Sequence, residues 1–144
     1  FYAEYSAGKA FLHSHSYTGN ALACRAALET LAIFNEQPVL ASNQVLSAHL
    51  GKRLAALADH ANVADVRQTG MIAAVELVRD RRTREEFPAA ERRGLRVYLH
   101  GLERGVILRP LGNVVYFMPP YCVSTAEIDL MVDAAIEGIE RAVA

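Results

Sequence analysis

Residues Met71-Ile72-Ala73-Ala74-Val75-Glu76-Leu77-Val78 constrain this chain more than any other stretch. Successive side chains on a strand face opposite ways, yet here every position except Glu76 is apolar. Such a run belongs to an inner strand, covered on both faces. Just before it, residues 63–69 are β-prone and alternate roughly, with Val63, Asp65, Arg67 and Thr69 against Ala64, Val66 and Gln68. Gly70 splits the two runs, and strands joined through so short a turn pair antiparallel.

The flanking segments are helical. From Ala21, the apolar positions Leu22, Ala26, Leu28, Leu31, Ala32 and Phe34 keep one face, and the small residues around Cys24 suit close packing. Pro38 suits the first position of a second helix, with Leu46, Leu50, Leu54 and Leu57 along it. Residues 80–88 are charged and read as a solvated loop. A third helix is expected over 88–104, with Leu95, Tyr98, Leu99 and Leu102 as its apolar face. Next comes a hairpin, with Val106 to Leu108 and Val114 to Met118 as β-prone flanks and Pro110-Leu111-Gly112-Asn113 as the turn. The last helix has the clearest signature. Ser124-Thr125-Ala126-Glu127 is a capping box, and Ile128, Met131, Val132, Ala135, Ile136, Ile139 and Val143 form its stripe. The order describes an α+β domain with a small, largely antiparallel sheet and helices on one face. A seam near residues 35–38 would separate the first helix from the rest.

The 144 residues suffice for a domain with a core, and 52% hydrophobic with 22% charged residues is a globular composition. A formal net charge of −1 gives no electrostatic case for nucleic acid or an anionic membrane. No apolar run is long enough to span a bilayer. The start lacks both a signal-peptide pattern and an initiator Met, so the chain reads as a piece of a longer protein. Cys24 and Cys122 form no disulfide framework, and a reducing cytoplasm is the default.

Two places could hold an anion. The loop His13-Ser14-His15-Ser16-Tyr17-Thr18-Gly19-Asn20 runs straight into a helix, whose N-terminal amides and dipole attract phosphate. A plain cap by Asn20 or Thr18 explains the same residues. Arg109, on the turn between two apolar runs, has a planar fork suited to a carboxylate; an exposed hairpin arginine is the simpler alternative. His13 and His15 lack the further ligands a metal needs nearby. His49, His60 and His100 read as surface residues. Lys9 and Lys52 read as solvated, and neither has the setting of a lysine that forms a Schiff base. No dinucleotide fingerprint, nucleophile elbow or triad spacing is present.

Taken together, three segments resemble the class III aminotransferases, which depend on pyridoxal phosphate. The first is the 13–20 loop with Ala21-Leu22-Ala23-Cys24, and the second is Arg67 to Leu77. The third, Arg109-Pro110 through Tyr116-Phe117-Met118-Pro119-Pro120-Tyr121, narrows the likeness to the branch of biotin synthesis. The resemblance covers essentially the whole chain. It departs at Ala21, where many relatives have proline, and at His15-Ser16-Tyr17, where others of the branch have Pro-Thr-Phe. It implies the C-terminal small domain of a fold-type I transferase over residues 37–144, with 1–36 as the end of the large cofactor-binding domain. It implies a cytoplasmic homodimer in which His15 and Ser16 hold the cofactor phosphate of the partner subunit. Ser14, Arg109, Leu111 and Tyr116 would bind substrate, with Arg109 on its carboxylate. The implied reaction moves an amino group from S-adenosylmethionine to 8-amino-7-oxononanoate. Lysine or an ω-amino acid as donor is the alternative, and a non-catalytic module for dimerisation or anion binding is another. The family's cofactor-bearing lysine matches no position here, Lys9 included, so no catalytic residue is expected in the chain and it should be inactive by itself.

Overall fold

The computed structural model describes residues 2–10 and 15–144. The chain divides into two compact units, residues 1–38 and 39–144. Among its described residues the first contains a 3-10 turn, Tyr5–Ala7, and a helix, α1 (Ala21–Glu36). No residue of α1 is buried.

The second unit is built around the inner strand. β1 (Val63–Thr69) and β2 (Ile72–Asp80) pair antiparallel across Gly70, whose φ of +55° suits a residue without a Cβ. β2 also pairs antiparallel with β5 (Val114–Phe117), which pairs in turn with β4 (Pro110–Leu111). The order β1-β2-β5-β4 therefore puts the apolar run second from one edge, flanked on both sides. The segment expected to be only a loop contributes β3 (Glu85–Glu86), which pairs with the end of β2. Its ladder is two residues long, too short for a periodicity to show.

One face of the sheet forms the core. Ala73, Val75, Leu77, Val115 and Phe117 are buried in a cluster with Leu50 and Leu54 of α2 (Val39–Leu54). Val97 of α3 (Arg93–Glu103) and Ile128, Val132 and Ile139 of α4 (Thr125–Val143) close it. Each large apolar side chain buried this way contributes roughly 1.5–3 kcal/mol. The other face is mixed and, contrary to expectation, not fully covered among the described residues: Ile72 is 52% exposed, and Arg67 bridges Glu76 at 2.9 Å and Asp65 at 3.1 Å, hydrogen bonds that raise its pKa. The fold is α+β, as expected, with helices on one face of an antiparallel sheet. No helix among the described residues is long and apolar enough to cross a membrane.

Several details differ from the sequence reading. α2 begins at Val39, one residue past Pro38. α3 begins at Arg93, not at 88, because residues 89–91 form a 3-10 turn and Arg92 takes a left-handed φ of +49°. The break is held by Arg93, whose guanidinium bonds Glu91 and the Ala142 carbonyl and lies 4.7 Å over the Phe87 ring. Arg93 also holds the Glu91 carboxyl below the usual range, ahead of smaller contributions from Arg79.

The buried face of α3 is Gly94, Val97, His100 and Gly101, whereas Leu99 and Leu102 are about half exposed. Glycine decides this. A Cβ on Gly101 would come within 2.8 Å of the Val106 carbonyl oxygen, and one on Gly138 of α4 within 3.1 Å of Val97. The backbones approach where side chains are missing.

The three helix histidines expected at the surface instead meet acids on α4. His100 is buried, with Nε2 3.1 Å from Glu137. His49 lies 2.7 Å from Asp129 and His60 3.3 Å from Glu140. These pairings span long stretches of sequence, so no local pattern announces them.

Candidate functional site

The loop before α1 is closed by short-range bonds. The His15 amide donates to Thr18 Oγ1 (3.0 Å), the Thr18 amide to the His15 carbonyl (2.9 Å), and the Asn20 amide to the Tyr17 carbonyl (3.1 Å). The His15 and Tyr17 rings meet edge to face, 5.1 Å apart. Asn20 is the cap: its Oδ1 accepts from the Ala23 amide at 3.0 Å. Among the described residues nothing accepts from the amides of Ala21 and Leu22. Two open amides at the positive end of a 16-residue helix fit a phosphate dianion, and the loop that leads into it carries the exposed Ser16 hydroxyl. Ser14, with His13, lies outside the described residues. Cys24, expected to pack, is exposed, like the rest of its helix.

In the second unit, Arg109 is not on the hairpin turn. The reversal falls at Gly112 and Asn113, with Gly112 at φ +60°, and Arg109 lies just before β4. The expected strand over 106–108 is not one: these residues lie outside the ladder. Two bonds fix the reversal: Asn113 Nδ2 donates to the Phe87 carbonyl (2.8 Å), and the Leu77 amide to the Asn113 carbonyl (2.9 Å). The Tyr116 amide then donates to the Arg109 carbonyl at 3.3 Å, holding the arginine backbone against β5.

Arg109 and Tyr116 line one cleft of about 600 Å³. Its walls are largely apolar, with Ile107, Met118, Pro119 and Leu130 among them. Among the described lining residues only Arg109 and Glu127 carry full charge. Arg109 has no ion-pair partner among the described residues. Glu127 is engaged elsewhere: Oε2 accepts from the Ser124 amide and from Ser124 Oγ, both at 2.7 Å. Those bonds, the backbone one first, hold its carboxyl below the usual glutamate range. The cleft thus offers an unpaired cation in apolar surroundings, which suits a carboxylate on an aliphatic chain.

Leu111 does not share that cleft. It sits at the corner of the turn, 75% exposed, on a neighbouring cavity of about 560 Å³ that also takes in Glu86 and Arg92. Sequence reasoning missed Glu127 as a member of the Arg109 cleft. Its capping motif was plain, but the approach of the start of α4 to residues 105–109 is a tertiary fact. Lys9 and Lys52 are both exposed.

Comparison with known proteins places the antiparallel unit and the helix start of the first unit in one family. Residues 2–142 match the family model for class-III aminotransferases, and the chain belongs to that family. It is 45% identical, over 99% of its length, to the adenosylmethionine-8-amino-7-oxononanoate aminotransferase of Geobacter sulfurreducens. The crystal structure of the enzyme of that name from Methanocaldococcus jannaschii superposes with a TM-score of 0.87 at 38% identity, over 98% of this chain and 32% of that one. An (S)-enantioselective omega-transaminase from Thermomicrobium roseum superposes at 0.86 and 28% identity, over 97% and 31%. The chain spans about a third of the length of the curated relatives it matches.

Proposed function

We propose that this chain works as the C-terminal part of a longer, pyridoxal-phosphate-dependent aminotransferase. The enzyme transfers an amino group from S-adenosylmethionine to 8-amino-7-oxononanoate and so makes 7,8-diaminononanoate for biotin synthesis. The observation that carries this reading is the cleft. Its unpaired Arg109 and apolar walls match an acceptor with a carboxylate at the end of a hydrocarbon chain, and the curated relatives bear the name of that reaction.

The residues divide the work. Arg109 binds the acceptor carboxylate as a charge-assisted pair, and Tyr116 orients the chain along the apolar wall. Ser16, His15 and the open amides of α1 hold the cofactor phosphate across a homodimer interface; Ser14 borders the substrate, and Leu111 meets the part of it that extends from the Arg109 cleft into the neighbouring cavity. When bound, pyridoxal phosphate supplies an electron sink and an amine carrier. In this reading residues 1–36 complete a large cofactor domain, 37–144 form the small domain, and the enzyme is cytoplasmic. The 144-residue chain by itself is inactive, since neither lysine is placed to carry the cofactor.

Arg109→Ala in the full-length enzyme tests the assignment. Losing a hydrogen bond to a charged group costs roughly 1.5–3 kcal/mol, so KM for 8-amino-7-oxononanoate should rise about 10- to 100-fold with a smaller change in kcat. An unchanged KM removes Arg109 from the site. The likeness to an omega-transaminase supports a second reading, with an ω-amino acid or lysine as donor. A donor screen on the full-length enzyme separates the two: turnover with S-adenosylmethionine and not with those amines supports the first.

A further inference from the structure

We infer that Ser124 keeps the cleft's cation open: by holding Glu127 in the capping box, it prevents that carboxylate from closing on Arg109. The Ser124–Glu127 pair is in this way a positioning device for carboxylate binding, as well as a helix cap. The inference rests on the reading of Arg109 as the carboxylate grip.

Arg109 and Glu127 line one cleft and are its two charged groups among the described lining residues. Both are exposed, so a pair between them would be a modest surface ion pair, yet enough to occupy the guanidinium. An internal pair between them would fill the fork that an incoming carboxylate needs. Yet Glu127 Oε2 accepts two 2.7 Å bonds from Ser124, and Ser124 Oγ accepts in return from the Glu127 amide at 3.2 Å. The glutamate also sits in the first turn of a 19-residue helix, where the dipole favours its charge. Two bonds and the helix end therefore compete with Arg109 for the carboxylate, and the amide bond fixes the backbone beside it. Removing the serine hydroxyl takes away one of the two donors to Oε2 and the acceptor for the Glu127 amide. The side chain is then freer to turn into the cleft. A helix cap with no second role would affect stability and leave ligand affinity alone.

The test measures binding of nonanoate, a nine-carbon monocarboxylate, to the cofactor-loaded full-length enzyme by calorimetry. Ser124→Ala should weaken binding about three- to fivefold, the scale of an exposed ion pair formed inside the protein. Ser124→Thr, which keeps a hydroxyl, should bind like the wild type. Ser124→Ala combined with Glu127→Gln should recover wild-type affinity, although the Ser124 hydroxyl and the Glu127 charge are both gone. A purely structural role predicts the reverse, with the double variant binding no better than Ser124→Ala, and that result overturns the inference. Unaltered affinity in Ser124→Ala overturns it too. Arg109→Ala tests the underlying reading separately: if it binds nonanoate like the wild type, the carboxylate assignment fails first.

Discussion

Helices α1 and α4 look alike as sequences and differ as structures. Both carry an apolar stripe and both have a side-chain cap at the start. α4 buries seven residues, among them Ile128, Val132 and Ile139, and has Glu127 and Arg141 at the ends that suit its dipole. α1 buries none, has no acid in its first turn and no base in its last, and leaves Leu22 83% and Leu31 59% exposed. A stripe in a sequence says that something must cover it. Whether the cover lies in the same chain is a separate matter, and a 16-residue helix without cover is marginal in water.

Three substitutions probe that difference. The largest effect is expected where the cover is complete: Phe117→Ala, beneath α4 and its neighbours, should cost about 3–5 kcal/mol in urea unfolding. A loss below 1 kcal/mol would mean that the second unit is no better packed than the first. The α4 cap comes next. Its folded Glu127 carboxyl lies below the unfolded value, so the stabilisation is complete above the ordinary glutamate range. It is lost as pH falls through the folded value. Glu127→Gln should flatten this part of the Tm profile in acid, and a profile identical to wild type would deny the cap that share. The smallest effect belongs to α1: Leu28→Ala, at a 58% exposed position, should stay within about 0.5 kcal/mol. A larger loss would show that the α1 stripe is covered after all.

The sequence made the local features legible. The Ser124 capping box, the turn at Gly70 and the inner position of β2 all follow from residues within ten positions of one another. The face of α3 was hidden, because its contacts are made by Gly94 and Gly101, and a periodicity of apolar side chains cannot register a side chain that is absent. His100 was misread for a related reason: its partner Glu137 lies 37 residues away on another helix. At the candidate site, Arg109 stood out by its residue type and its turn-rich setting. Its turn position was misplaced because Pro110 and Leu111 pair in a ladder and push the reversal to Gly112. Glu127 was seen as a cap and not as the neighbour of Arg109.

The cleft has one more property. Among the described residues, all of its lining falls between Gly105 and Met131. A pocket assembled from distant segments changes character only through coordinated replacements. Exchanging residues 105–131 between related transaminases should therefore move the Arg109 end of acceptor binding with them, provided that the Val115 and Phe117 brought along still pack beside the host's Ala73 and Val75.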